Sequence, residues 1–135
     1  MMKVKIAFLL LAFLSSLCNP SQSIAQTQYE TCYEKDSLHI SGKWVNSKKS
    51  DPESPLELRL RIENTDDQEI EFTYEIALYM NNVIREKTEK DQFRIKAGKV
   101  KMGKLNGVRF MPTTLSNEDI LSERFSWEIS IEVLK

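Results

Sequence analysis

From Leu56 to Met80 the chain reads LELRLRIENTDDQEIEFTYEIALYM, and apolar side chains recur at every second position on both sides of one polar patch. Leu56, Leu58, Leu60 and Ile62 share one parity, opposed by Glu57, Arg59, Arg61 and Glu63. After NTDDQ, Ile70, Phe72, Tyr74, Ile76, Leu78 and Met80 are opposed by Glu71, Thr73 and Glu75. Successive side chains of an extended strand point to opposite faces, so this pattern sorts into one dry and one wet side. Wound into a helix of about 3.6 residues per turn, the same residues would scatter charge around the whole cylinder. A sheet with one apolar face has to bury it, and no long amphipathic helix is available. The partner is therefore a second sheet.

The same period continues elsewhere. Leu38, Ile40, Gly42 and Trp44 alternate with His39, Ser41, Lys43 and Val45, and Phe125, Trp127, Ile129, Ile131 and Val133 close the chain with Ser126, Glu128, Ser130 and Glu132 between them. NSKKSDPESP (46–55) holds two prolines and many turn formers and reads as a loop. Asn81-Asn82 tolerates positive φ and predicts a tight hairpin. A two-residue turn there sets Leu78 opposite Arg85, whereas one more loop residue pairs Met80 with Ile84. The return segment IREKTEKD is polar, as suits a guarded edge. Phe93–Ile95, Val100–Met102 and Val108–Phe110 are further short strands, separated by Ala97-Gly98 and Asn106-Gly107 turns. Only LSNEDILSERF breaks the rhythm: Ser116 with Asp119 three residues on predicts a capping box and about two turns of helix. About seven strands, one short helix before the last strand and no internal repeat define an all-β, two-sheet antiparallel sandwich.

The first residues, MMKVKIAFLLLAFLSSL, place Lys3 and Lys5 before an apolar run too short to span a bilayer, and a small-x-small site ends at Ala25. This describes a secretory signal peptide over 1–25, followed by a tail (26–36) and a sandwich domain (37–135). The sequence leaves open whether the tail lies against the domain. Export to the periplasm, the outer surface or the medium follows. Membrane contact arises only if Cys18 is lipidated or the signal is left uncleaved, and Leu17 fits a lipidation site poorly. Cleavage leaves 110 residues with 20 acids and 17 bases, a net charge of −3 and one cysteine, Cys32. No intrachain disulfide is then available, and stability rests on a packed core.

Few residues suit catalysis. GKVKMGKL (98–105) matches the spacing of a phosphate-binding loop, yet Leu105 stands where Ser or Thr holds magnesium, and strand pattern stands where a helix has to begin. His39 is the sole histidine and shares a parity with solvent-facing residues, which leaves no usual nucleophile, base and orienter. Asn64, Asp66, Asp67 and Glu69 lack the spacing of a calcium loop. Trp44 and Trp127 would suit a sugar platform, but both lie on the inward parity. The expectation is no enzyme and no cofactor.

One charge feature stands out. Lys87, Lys90, Arg94, Lys96, Lys99, Lys101, Lys104 and Arg109 face only Glu89 and Asp91 in their own stretch, while Glu118 to Glu132 carries five acids and one base. These eight bases are the candidate interaction patch, either paired across a sheet or presented to a protein or glycan partner. Phe93 and Phe110 are the only aromatics among them and lie on the apolar parity, which disfavours nucleic acid.

LRLRIENTDDQEIEFTYEIALYMNN resembles the second and third strands of bacterial immunoglobulin-like or fibronectin type III-like domains, and FRIKAGKVKMGKL is similar to their later strand, glycine turn and strand. The resemblance spans about half of the exported chain and brings no functional residues. It implies that the strands flanking NTDDQ lie in opposite sheets; periodicity alone equally allows a hairpin. The reading is a noncatalytic exported binding or accessory module of the bacterial envelope. The alternative is a proteinase-inhibitor-like sandwich that presents loops such as 46–55 to an enzyme.

Overall fold

The computed structural model describes residues 2–5, 28–103 and 108–134. Among them are ten strands and one helix: β1 (Met2–Lys5), β2 (Glu30–Lys35), β3 (Leu38–Asn46), β4 (Leu56–Asn64), β5 (Ile70–Met80), β6 (Val83–Lys87), β7 (Asp91–Ile95), β8 (Val100–Met102), β9 (Arg109–Phe110), α1 (Asn117–Leu121) and β10 (Phe125–Val133). They form two antiparallel sheets of five strands. One runs β1-β10-β5, with β6 and β7 sharing the far side of β5; the other runs β2-β3-β4, with β8 and β9 sharing the far side of β4. The chain is an all-β sandwich with a short helix before its last strand. More strands form than the sequence suggested because each far edge is built from two short pieces, and β1 and β2 lie outside the region read as the domain.

β4 and β5 lie in different sheets, so NTDDQ is a crossing between layers and not a hairpin. Asn64 fixes that crossing. Its buried amide donates to the carbonyls of Gln68 (2.8 Å) and Ile95 (3.1 Å), and its Oδ1 accepts from the Asp66 amide at 2.8 Å. Buried polar groups have to be paired in this way, and here the pairing joins three segments.

The Asn81-Asn82 turn has two residues, at φ 52° and 65°. Met80 pairs with Val83 and Tyr79 with Ile84, after which the register shifts and Leu78 meets Glu86. The two-residue turn corrects Met80 opposite Ile84, and the bulge beyond it corrects Leu78 opposite Arg85. Arg85 is the inserted residue, and it stays exposed, as a guanidinium at a strand edge should.

The inward parity holds along the central strands, while Val100, Met102 and Val133 at the strand ends and edge are exposed. Trp44, Trp127, Phe72 and Phe125 are buried, with Leu38, Ile40, Leu58, Ile62, Ile76 and Leu78 around them. Trp44 meets Phe125 edge-on at 5.5 Å and Trp127 at 6.5 Å, the T-shaped geometry favoured by ring quadrupoles. Both indoles fill the space between the sheets and are unavailable as a platform. Gly42 gives that packing its close approach. A Cβ there would sit 3.1 Å from both Leu58 Cδ1 and Trp127 Cη2.

The capping box forms as predicted: the Asp119 amide donates to Ser116 Oγ at 3.1 Å and the Ser116 amide to Asp119 Oδ2 at 3.0 Å. The Ser116 amide, and after it the Ser116 hydroxyl, hold the Asp119 carboxyl below the usual carboxylate range. The helix is a single short turn, Asn117–Leu121, which anchors Ile120 in the core.

The segment read as a tail contains β2, paired with β3 through a shift between Thr31 and Tyr33. Cys32 lies at that shift, fully buried, and its thiol donates to the Ile40 carbonyl at 3.3 Å. Burial pushes the thiol up to about 12, against a smaller lowering by its own backbone amide. It is a protonated, inert core residue at neutral pH. Residues 2–5, inside the stretch read as a signal peptide, lie antiparallel to β10.

Candidate interaction surface

The basic residues are brought together by topology. β6 and β7 form one edge of the first sheet, β8 and β9 the corresponding edge of the second, and the short turn at 96–99 joins them. The run from Lys87 to Arg109 therefore lines one side of the sandwich, while the acid-bearing β10 lies across β5 from it. An asymmetry spread along the sequence becomes a lateral polarity in space. Lys104 lies outside the described residues.

Three of the seven described bases are neutralised locally. Lys87 Nζ is 3.5 Å from Glu75, Arg94 lies 3.3 Å from both Glu69 and Glu71, and Arg109 Nη1 is 3.6 Å from Glu57. Lys101 Nζ stands 5.3 Å from the Phe93 ring centre, a cation–π contact that covers the half-buried ring. Lys90, Lys96 and Lys99 are exposed and take part in no ion pair among the described residues. Lys96 and Lys99 flank Gly98, whose φ of 68° permits the turn that projects them. The seven described bases are thus two populations: four engaged with the sheet and three presented to solvent.

Among the described residues, Glu57 is the one charged side chain that its parity misplaces. Its parity assigns it to the wet face with Arg59, Arg61 and Glu63, yet it is fully buried. Arg59 Nε donates to Glu57 Oε2 at 2.8 Å, and Arg109 approaches Oε1 at 3.6 Å from β9. β9 pairs with β4 at Leu58 and Arg59, which carries the second guanidinium to the carboxylate. A buried carboxylate is tolerable only with such partners. No local pattern signals it, since Arg109 is 52 positions away.

Behind the patch, where β6 gives way to β7, a cavity of about 190 Å³ opens between the sheets, lined by Tyr74, Thr88, Glu89, Asp91, Arg109 and Phe110 among others. Burial, with the nearby Asp91 charge, raises the Tyr74 hydroxyl above the ordinary phenol range. Thr88 closes the break in the edge: its Oγ1 accepts from the Ile76 amide at 2.9 Å.

The remaining sequence candidates are structural. Gly98 to Met102 is a turn and a strand, with Gly103 at φ 70° beyond it and no helix among the segment's described residues, 98–103. His39 is half-exposed and lies 3.0 Å from Thr31 Oγ1 and 3.6 Å from Glu34. The 46–55 loop is held from within and from outside. Asn46 donates to Pro52 O (3.0 Å) and Ser54 O (2.9 Å), Ser54 Oγ bridges Lys48 and Asp51, and Asn117 of the helix reaches Ser54 O and the Leu56 amide.

Compared with known proteins, the chain matches no family model and no curated protein.

Proposed function

We propose that this chain is a noncatalytic, exported binding or accessory module of the bacterial envelope, an immunoglobulin-like sandwich that docks an acidic protein or glycan along its basic side. The observation that carries the reading is the set of three exposed lysines, Lys90, Lys96 and Lys99, that stand outside the ion pairs of the described residues on one edge of a rigid scaffold. Exposed charges of one sign attract an oppositely charged surface and lose that attraction as salt screens them. The crossing of NTDDQ between sheets supports the immunoglobulin-like reading, and the lysine-bearing turn lies within the unit FRIKAGKVKMGKL, on which that resemblance also rests.

The test is capture of the partner from an envelope extract with the exported chain. Capture is expected to fall at least about tenfold between ~0.05 M and ~0.5 M salt, and equally when Lys90, Lys96 and Lys99 are replaced by glutamate. Retention of the same partner by the triple variant at low salt would remove the basic side from the account.

A second reading is favoured by the 46–55 loop, whose exposed residues Lys48 to Glu53 are fixed by bonds from Asn46, Ser54 and Asn117. Loops fixed before binding lose little entropy on docking, as inhibitory loops require. A protease panel separates the two: an inhibitor blocks a lysine-specific protease at sub-micromolar concentration, and Lys48→Ala with Lys49→Ala abolishes it. Absence of inhibition across the panel leaves the binding module alone.

A further inference from the structure

Three of the sandwich's lateral edges carry protection against stray pairing. β6 is bulged at Arg85 and yields to β7 within a few residues, β8 and β9 have three and two residues, and β2 shifts register at Cys32. β10 has none of these guards. It pairs with β5 over nine consecutive positions without a shift, contains no proline, and alternates core residues with Ser126, Glu128, Ser130 and Glu132. A long, regular edge with one row of free backbone donors and acceptors is a template for another strand. In the structure that template is filled by β1, whose register sets Lys3 beside Glu128, Val4 beside Trp127 and Lys5 beside Ser126.

We infer that the β10 edge is a strand-docking site which, once residues 1–25 are removed, accepts an extended segment of a partner protein in which apolar residues alternate with lysine or arginine. The inference rests on the export reading, because only loss of the leader opens the edge. The occupant's chemistry follows from β10 itself. Phe125, Trp127 and Ile129 face the core, so the alternate residues of an added strand extend that apolar layer. Glu128 and Glu132 lie on the outer face, so the remaining residues of the added strand meet carboxylates, and cross-strand pairs of opposite charge are the favoured ones. Met-Lys-Val-Lys, the segment paired there, has that alternation. A second copy adding its own β10 would place acids on the same face as acids.

The experiment uses the full chain expressed with its leader and purified after export. Mass spectrometry of the product is expected to show residues 1–25 gone; a retained leader overturns the proposal. A short peptide of alternating lysine and valine is then titrated against the product, with a glutamate–valine peptide as control. The lysine peptide is expected to slow amide exchange across Phe125–Val133 by about tenfold or more and to bind at least ~10 times tighter than the glutamate peptide. Glu132→Lys, a change at an exposed position, is expected to narrow that preference, and adding Glu128→Lys to reverse it. Equal binding of both peptides, or a β10 already protected in a sedimenting dimer, would overturn the assignment, the latter giving the edge to a second copy. The Lys90, Lys96 and Lys99 glutamate variant lies on the opposite side and is expected to bind the lysine peptide unchanged, which separates failure of this site from failure of the basic one.

Discussion

Replacing Trp127 by alanine is expected to lower the stability of the sandwich by about 3–5 kcal/mol, with a fall in Tm on the order of 15 °C. The indole is 1% exposed and stands where the two sheets meet. It lies so close to Gly42 of the facing sheet that a methyl group there would crowd it, and it packs edge-on against Trp44. Truncation removes a large buried surface and leaves a cavity whose walls are strand backbones. Hydrogen-bonded ladders on both sides cannot collapse into the gap, so the cost belongs to the upper part of the range for aromatic deletions. A domain of this size has about 5–15 kcal/mol in total, and the variant is close to the unfolding threshold at growth temperature. Chemical denaturation followed by tryptophan fluorescence of the remaining Trp44 measures it. A loss below about 1 kcal/mol would place the indole outside the core and undo the two-layer reading with it.

The second large effect is electrostatic. Arg59→Met is expected to cost about 3–5 kcal/mol, whereas Arg61→Met, two positions along the same strand, costs about 0–1 kcal/mol. Both arginines pair with a glutamate on β4: Arg59 with Glu57 at 2.8 Å, Arg61 with Glu63 at 3.1 Å. The difference lies in the carboxylates. Glu63 is about one-third exposed and regains water when its partner is lost, but Glu57 is wholly buried and is left with only the 3.6 Å approach of Arg109. An uncompensated buried charge carries its desolvation cost in full. Pairing Arg59→Met with Glu57→Met removes both charges and is expected to restore most of the loss, because a neutral apolar pair incurs no such penalty. Equal destabilisation by the Arg59 and Arg61 single changes would show that Glu57 is hydrated after all.

Much of the architecture was legible before any coordinates. The parity of Leu56 to Met80 named the dry face correctly at Leu58, Ile62, Phe72 and Leu78, and the capping box at Ser116 was read from two residues and their spacing. These succeed because the periods of strand and cap are properties of the local backbone. The Asn81-Asn82 register failed by one residue because a bulge trades a pairing position for the exposure of Arg85, a choice made by the edge and not by the turn. β2 was missed for a related reason. Only Cys32 of its six residues is buried, and the register shift displaces it from strict alternation. Of the candidate site, the eight bases were visible as a cluster in sequence. Which of them face solvent unpaired depended on where β5 set Glu71 and Glu75 and where the crossing loop set Glu69.

What the residues alone determined is the choice of strands over helices, the identity of the buried parity and the need for a second layer, since each follows from side-chain period and the cost of wetting an apolar face. Only the tertiary structure decided that β4 and β5 belong to opposite sheets, that Glu57 is enclosed between two guanidiniums, and that basic and acidic segments end on opposite sides of β5. Those outcomes depend on pairings between residues tens of positions apart, and a period of two is the same for every partner a strand might take.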